Sequence, residues 1–315
     1  MFRILVTDPL GREGLDYLAQ QPDVEADVRA GLKGKQLAEA IAASDALIVR
    51  SGTQVTADVL ANPGRLRVVA RAGVGVDNID VEAATRAGVL VLNTPDANTI
   101  STAELTMAHM LALSRKLVPA CISAKAGEWE RKKFQGSQLA GKTLGVVGFG
   151  RIGRAVAERA LAMKMHVVAF DPFFAGVGTG EVQFCESIDD LMRRCDIVTV
   201  HTPLTPQTQG LIGAAQFALA RPGLLVINCA RGGIIDEQAL AEAVKSGRVA
   251  GAGVDVFTTE PPEGNPLLSI ENVVATPHLG ASTAEAQAGV AMEACQAVLG
   301  YLRTGEIRGA VNIGG

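Results

Sequence analysis

The stretch Lys142 to Asp171, KTLGVVGFGRIGRAVAERALAMKMHVVAFD, limits what this chain can fold into more than any other. Thr143 to Val147 is an apolar run with the length and β-branched content of a buried parallel strand. It leads into Gly148, Gly150 and Gly153 in the spacing G-x-G-x-x-G, then a helix-period segment from Arg154 to Met163, then a second apolar run from His166 to Phe170. Each glycine answers a need. Gly148 permits a tight turn, Gly150 lets a pyrophosphate approach the backbone, and Gly153 lets the helix pack against the strand. The free N–H groups and positive dipole end of the helix N-terminus suit phosphates. Asp171 follows Gly153 by 18 residues, where an acid accepts hydrogen bonds from an adenosine ribose. The glycine spacing alone is a weak signal. Strand, glycines, helix, second strand and acid in this order are the context that makes it a dinucleotide fingerprint. A carboxylate at Asp171 repels a 2′-phosphate and no basic residue follows it closely, so NAD is expected rather than NADP.

At 315 residues the chain exceeds a usual single domain, and two are expected. Its 48% hydrophobic content and net charge of −4, with both signs interspersed, fit a packed α/β protein and give no basic stripe for nucleic acid. The longest basic cluster, Arg131 to Lys133, is a local patch. Neither a signal peptide nor a membrane-spanning run is legible, and the five cysteines are scattered without a C-x-x-C pair. That pattern suits free thiols in a reducing compartment, so a cytoplasmic location is expected and a disulfide framework or zinc site is not. No metal is expected.

Residues 1–94 alternate short apolar runs with helix-like segments, the signature of βαβ units and a mostly parallel sheet. Two runs end in arginines followed by glycine, at Arg50, Ser51, Gly52 and at Arg71, Ala72, Gly73. Ligand groups in open α/β sheets lie beyond the carboxyl ends of strands, but a solvated strand terminus explains these arginines as well. Asn93 to Asn98 is punctuated like a hinge. Ser101 to Glu104 then reads as a capping box for a helix to about Leu117. This helix is apolar on most sides, which suits burial between domains or against a second subunit; within it His109 reads as a packed core histidine. Past the dinucleotide unit, apolar runs end at His201-Thr202-Pro203, at Cys229-Ala230-Arg231, at Asp255 leading to Glu260, and at Thr276-Pro277-His278-Leu279-Gly280. Ser282 or Thr283 caps a closing helix to about Leu302. Only that helix follows the nucleotide unit, so it is expected to cross back and complete the first domain. The expectation is two Rossmann-like, doubly wound parallel-sheet domains with a cleft between them: 1–96 plus 281–315 for substrate, and 97–280 for NAD.

Hydride transfer between an alcohol and NAD asks the protein for a base titrating near neutrality, a group that orients it, and a cation for the substrate carboxylate. His278, Glu260 and Arg231 have the right chemistry, and each lies just beyond a strand that follows the nucleotide unit. Glu260 would orient the imidazole, and Arg231 would hold a carboxylate bidentately. Of the four histidines, His166 precedes a strand, His109 is core, and His201 suits the adenosine side of the cleft.

The glycine fingerprint, Asn228 to Gly233, Gly253 to Val256 and Thr276 to Ala281 together resemble the D-isomer-specific 2-hydroxyacid dehydrogenase family, over essentially the whole chain. The resemblance implies Arg231, Glu260 and His278 as catalytic residues. It implies cofactor contacts at Val74, Arg151, Ile152, Asp171, Thr202, Pro203, Cys229, Ala230, Arg231, Asp255, His278 and Gly280, besides the glycines. Motifs in the first domain, around Arg50, Arg71 to Asn78 and Gly127 to Phe134, narrow it to members that oxidise 3-phospho-D-glycerate to 3-phosphohydroxypyruvate, the first step of serine biosynthesis. Arg50, Ser51, Arg71 and Gly73, with Arg131 from a dimer partner, would then bind substrate alongside Arg231 and His278. A phosphorylated acid is anionic at both ends, and the chain has cations for both. Alternatives are a reductase of glyoxylate, hydroxypyruvate or another 2-oxoacid, and a non-catalytic dinucleotide sensor. Many members of the branch continue into serine-binding regulatory domains. This sequence stops at Gly315, as a naturally short form or a core cut from a longer one.

Overall fold

The computed structural model describes residues 1–174 and 180–313. Contacts divide the chain into two compact units, Met1–Asn98 with Ala281–Gly315, and Thr99–Gly280.

The first unit is built from β1 (Phe2–Val6), α1 (Arg12–Ala19), β2 (Val24–Val28), α2 (Gly34–Ala42), β3 (Ala46–Val49), α3 (Ala57–Leu60), β4 (Val68–Arg71), α4 (Val81–Arg86) and β5 (Leu90–Asn93). Its five strands are parallel in the order β2-β1-β3-β4-β5. The inner strands read as near-unbroken apolar runs because both faces are covered, whereas the edge strand β2 carries Glu25 and Asp27. Ile4, Val6, Ile48, Ala70 and Leu92 pack on one side with Leu18 of α1, while Leu5, Leu47, Val49, Val69 and Val91 pack on the other with Leu37 and Ile41 of α2.

The second unit runs through α5 (Thr99–Ser114), α6 (Leu117–Lys125), β6 (Thr143–Val147), α7 (Arg151–Ala162), β7 (His166–Phe170), β8 (Val182–Phe184), α8 (Ile188–Arg194), β9 (Ile197–Val200), α9 (Ala214–Leu219), β10 (Leu224–Asn228), α10 (Glu237–Lys245), β11 (Val249–Val254) and β12 (Val273–Ala275). Its seven parallel strands follow the order β12-β11-β10-β9-β6-β7-β8. Helices α5 and α7 cover the face holding Val146, Val167 and Ile227; α8, α9 and α10 cover the face holding Val198, Val226 and Val254.

The chain then returns to the first unit as α11 (Ala284–Thr304), whose Val290, Ala294, Val298 and Leu302 join the face already lined by α1. The tail follows β5: Asn93 N–H donates to the Gly309 carbonyl at 2.8 Å, and Val311 N–H to that of Val91 at 2.9 Å.

Two helix boundaries differ from the sequence reading. The long helix starts at Thr99, so Ser101 and Glu104 lie inside it and form no capping box; Ser101 is buried and Glu104 lies 3.8 Å from Arg159. It stops at Ser114 because Lys116 is left-handed (φ 51°), and α6 starts anew. For α11 the cap is Thr283, which accepts from Ala286 N–H at 3.1 Å, and Gly305 ends it in the left-handed conformation.

Candidate active site

Strand order reverses at β6 in the second unit: β7 lies on one side of it and β9 on the other. Ligands of open α/β sheets bind at such a switch point, beyond the carboxyl ends of the strands. Gly148, at φ 88°, ends β6 there, and a Cβ on it would lie 2.7 Å from the His201 carbonyl and from Thr202. A Cβ on Gly153 would sit 2.1 Å from the Gly148 carbonyl, so the helix closes directly on the turn. Around Gly150 a Cβ would meet no atom of the described residues within 4 Å, which leaves the backbone open to an incoming group. Arg151 and Ile152 form the first turn of α7. Asp171 follows β7; its carboxylate accepts from Phe149 N–H at 2.8 Å and Phe173 N–H at 2.9 Å, which ties the acid to the glycine turn. The buried hydroxyl of Thr202 and Nδ1 of His201 have no partner among the described residues. An open backbone cradle, a fixed acid and orphaned polar atoms at one switch point fit a dinucleotide. The Cys229 thiol is packed in the core, where burial pushes it up to about 12.

His201 Nε2 lies 3.0 Å from Thr199 Oγ1, and burial pushes its pKa down to about 3. Below about pH 6.5 the unfolded chain protonates this ring and the folded chain does not, so stability must fall as pH drops from there toward 3. The slope from this one proton is about 1.4 kcal/mol per pH unit. Urea titrations of the His201→Gln variant are expected to show a flatter acid limb than the parent; parallel limbs would mean that the ring is not held neutral.

The remaining side chains lie along the carboxyl edge on the β9–β12 side. Register places Asn228 beside both Val200 and Val254, and Val254 beside Ala275, so the segments that follow these strands start level with one another. His278 Nδ1 donates to Glu260 Oε2 at 2.7 Å; a carboxylate can only accept, so Nε2 is left for chemistry. Glu260 is fixed in turn by the Phe257 N–H on its other oxygen, at 3.1 Å. Both side chains are about two-fifths to one-half exposed, so their pairing contributes orientation more than stability. They border a largely apolar pocket of about 510 Å³ that includes Phe257, Leu268 and Pro277. Arg231, half-buried after β10, donates to the Ala230 carbonyl at 2.7 Å, and its own carbonyl accepts from Asn228 at 2.9 Å.

Asp255 is fully buried, and its carboxylate is turned inward: it accepts from Thr276 Oγ1 (2.6 Å), Leu279 N–H (2.7 Å) and Gly280 N–H (2.9 Å). These bonds hold His278 at φ 54°, a left-handed conformation costing roughly 1–2 kcal/mol in a non-glycine residue. The sequence offered Asp255 only as a cofactor contact; its visible work is to shape the His278 loop. Arg131 is exposed in the turn after α6.

In the first unit, strand order reverses at β1, between β2 and β3. Asp8, after β1, accepts from Arg50 N–H at 2.6 Å and from the hydroxyl and N–H of Thr53 at 2.8 and 3.1 Å. Asn78 donates to the Arg50 and Thr53 carbonyls and accepts from Arg71 Nε at 3.0 Å, so it joins the Arg50 loop to Arg71. The Arg50 side chain bonds Gln287 of α11. A Cβ on Gly73 would lie 2.6 Å from Arg71 Nη1, so only glycine leaves the guanidinium its place. Ser51 is exposed beside Arg50, and Val74 presents its carbonyl to Asn93 at 2.6 Å. Asp8, Asn78 and Gln287 were not foreseen; an acid directly after the first apolar run was the available signal for Asp8. Among the described residues no helix is long and apolar enough to cross a membrane, and no group of three or more His, Cys, Asp or Glu is placed to hold a metal.

Residues 107–280 match the family described as D-isomer specific 2-hydroxyacid dehydrogenase, NAD binding domain. The chain is 50% identical over 289 residues to the D-3-phosphoglycerate dehydrogenase of Methanocaldococcus jannaschii, covering 91% of this chain and 55% of that protein. It is 45% identical over 317 residues to that of Archaeoglobus fulgidus, covering 99% and 59%. The chain thus spans a little over half the length of these curated relatives. The TT0316 protein of Thermus thermophilus is similar in structure, with a TM-score of 0.89 at 36% identity, covering 98% of this chain and 99% of that one.

Proposed function

Because this chain belongs to the D-isomer specific 2-hydroxyacid dehydrogenase family and carries its NAD-binding domain, we propose that it oxidises 3-phospho-D-glycerate to 3-phosphohydroxypyruvate with NAD, and reduces the oxoacid in reverse. The observation that carries the substrate is the Arg50–Asn78–Arg71 cluster, which joins two guanidinium-bearing segments beyond neighbouring parallel strands. Two such cations suit a phosphate dianion, with Ser51 and the Gly73 backbone beside them. Arg231 is assigned the carboxylate. The two relatives whose names carry phosphoglycerate support this choice over an unphosphorylated acid.

NAD, when bound, accepts or supplies the hydride. The chain's residues do the rest. Gly148, Gly150, Gly153, Arg151 and Ile152 are assigned the pyrophosphate, Asp171 the adenosine ribose, and Thr202, Pro203, Ala230 and the Cys229 backbone flank the same edge. His278 Nε2 removes the C2 hydroxyl proton during oxidation and returns it during reduction, while Glu260 holds Nδ1–H and stabilises the imidazolium that forms. Exposed Leu117, Val118, Ile122 and Trp129 support assembly as a homodimer, with Arg131 offered to the partner's substrate; a monomeric mass by light scattering removes that role. A cytoplasmic location follows from this metabolic reading.

The test is NADH oxidation with 3-phosphohydroxypyruvate and hydroxypyruvate side by side. A kcat/KM preference of about 100-fold or more for the phosphorylated acid is expected, and replacing Arg50 and Arg71 by Ala should erase most of it by raising KM for that substrate alone. Equal rates would make the chain a general 2-oxoacid reductase of the same family.

A further inference from the structure

Helix α5 grips the His278 loop at two points. Thr102 Oγ1 donates to the Gly280 carbonyl at 3.1 Å, and His109 Nε2 lies 2.9 Å from Thr276 Oγ1. The two residues stand seven apart, hence two turns along one face of the helix. Their partners flank His278, two residues to either side. The sheet makes room for the ring: Gly253 of β11 has no side chain where a Cβ would lie 2.8 Å from that of His109.

The direction of the hydrogen bonds is fixed. The Asp255 carboxylate only accepts, so the single hydroxyl proton of Thr276 goes to Oδ1. The Thr276 oxygen is then an acceptor, which places the imidazole hydrogen of His109 on Nε2. Its Nδ1 is bare, out of contact with solvent and without a partner among the described residues. Burial lowers the pKa of His109, against the pull of the Asp255 charge, and a neutral ring is what this chain of donors requires.

We propose that His109 is a positioning residue for the reaction: its Nε2–H orients the Thr276 hydroxyl toward Asp255, whose carboxylate receives the Leu279 and Gly280 N–H groups that hold His278 in its left-handed conformation. This rests on His278 as the proton-transfer residue. His109 touches neither substrate nor cofactor in this role. It sets where His278 stands, and misplacement of a reacting group by about 1 Å can cost about 100-fold in rate.

The test compares His109→Leu, His109→Gln and Thr276→Val by NADH oxidation with 3-phosphohydroxypyruvate, with thermal melts confirming that each folds. Glutamine carries an Nε2–H at similar reach, and leucine keeps only bulk. His109→Leu and Thr276→Val should each lower kcat about 10-fold with KM little changed. His109→Gln should restore most of it, and the Leu/Val double variant should be no worse than either single one. Equal kcat in the Leu and Gln variants would make His109 a packing residue, and parental kcat in Thr276→Val would break the chain of bonds; either overturns the proposal. If His278→Ala itself keeps its turnover, the reading beneath fails and this one with it. A large loss in His278→Ala beside parental rates in His109→Leu overturns the positioning role alone.

Discussion

Replacing His278 by Ala is expected to lower kcat by roughly 10³-fold while NAD affinity is almost unchanged. The side chain is half-exposed beside Glu260 and contributes little to the fold, so truncation removes the group proposed for proton transfer without opening a core cavity. The glycine turn and Asp171, to which dinucleotide affinity is assigned, hydrogen-bond to one another and not to His278. Steady-state rates with 3-phosphohydroxypyruvate, alongside NADH fluorescence titration, separate the two effects. A kcat within about 10-fold of the parent would remove His278 from the proton-transfer role. Glu260→Gln sharpens the test. An amide in place of the carboxylate can donate to Nδ1, which favours the tautomer with the proton on Nε2, and it cannot stabilise an imidazolium. Its loss should therefore fall mainly on kcat. A loss confined to KM would make Glu260 part of substrate binding instead.

The second large effect concerns Gly232, next to Arg231. A Cβ there would lie 1.9 Å from the carbonyl carbon of Phe257, 2.1 Å from its oxygen and 2.3 Å from Thr258 N. All three are backbone atoms, so no side chain can swing aside. This glycine lets the Arg231 segment lie directly on the segment leading to Glu260. Gly232→Ala should cost about 3 kcal/mol or more, a fall in Tm of roughly 6–12 °C for a unit of this size. Catalysis should fall with it, because the two segments must part. Gly150→Ala is the contrast. Its Cβ would meet no atom of the described residues within 4 Å, so Tm should hold while NAD binding weakens. If Gly232→Ala melts like the parent, the two segments are not pinned as described.

What could be read from the sequence, and what could not, follows the physics of each element. The strands buried on both faces declared themselves as apolar runs, and Arg231, Glu260 and His278 could be placed in the segments beyond strand ends, because ligands of open α/β sheets bind at that edge. Two strands carry little apolar signal, and both are at sheet edges: Val24–Val28 has Glu25 and Asp27 among its five residues, and Val182–Phe184 spans only three. An edge strand has one neighbour and needs less apolar surface. The false capping box at Ser101 to Glu104 shows that a local pattern loses to packing when the whole helix is apolar. The duties of Asp8, Asn78, Asp255 and His109 were hidden for another reason. Each is defined by a partner 20 or more residues away in sequence, and composition carries no information about such pairs.

The closing helix has a consequence for biosynthesis. Its Val290, Ala294, Val298 and Leu302 complete a hydrophobic face begun by Ile4, Ile48 and Leu92, yet the ribosome must deliver the whole of 99–280 in between. The inserted unit is contiguous and can fold as it emerges, whereas the amino-terminal sheet waits with an apolar flank uncovered. At about 5–20 residues per second that wait lasts on the order of ten seconds or more. Nascent chains stalled before residue 284 should therefore be a strong chaperone client, and released chains should lose that binding as α11 docks.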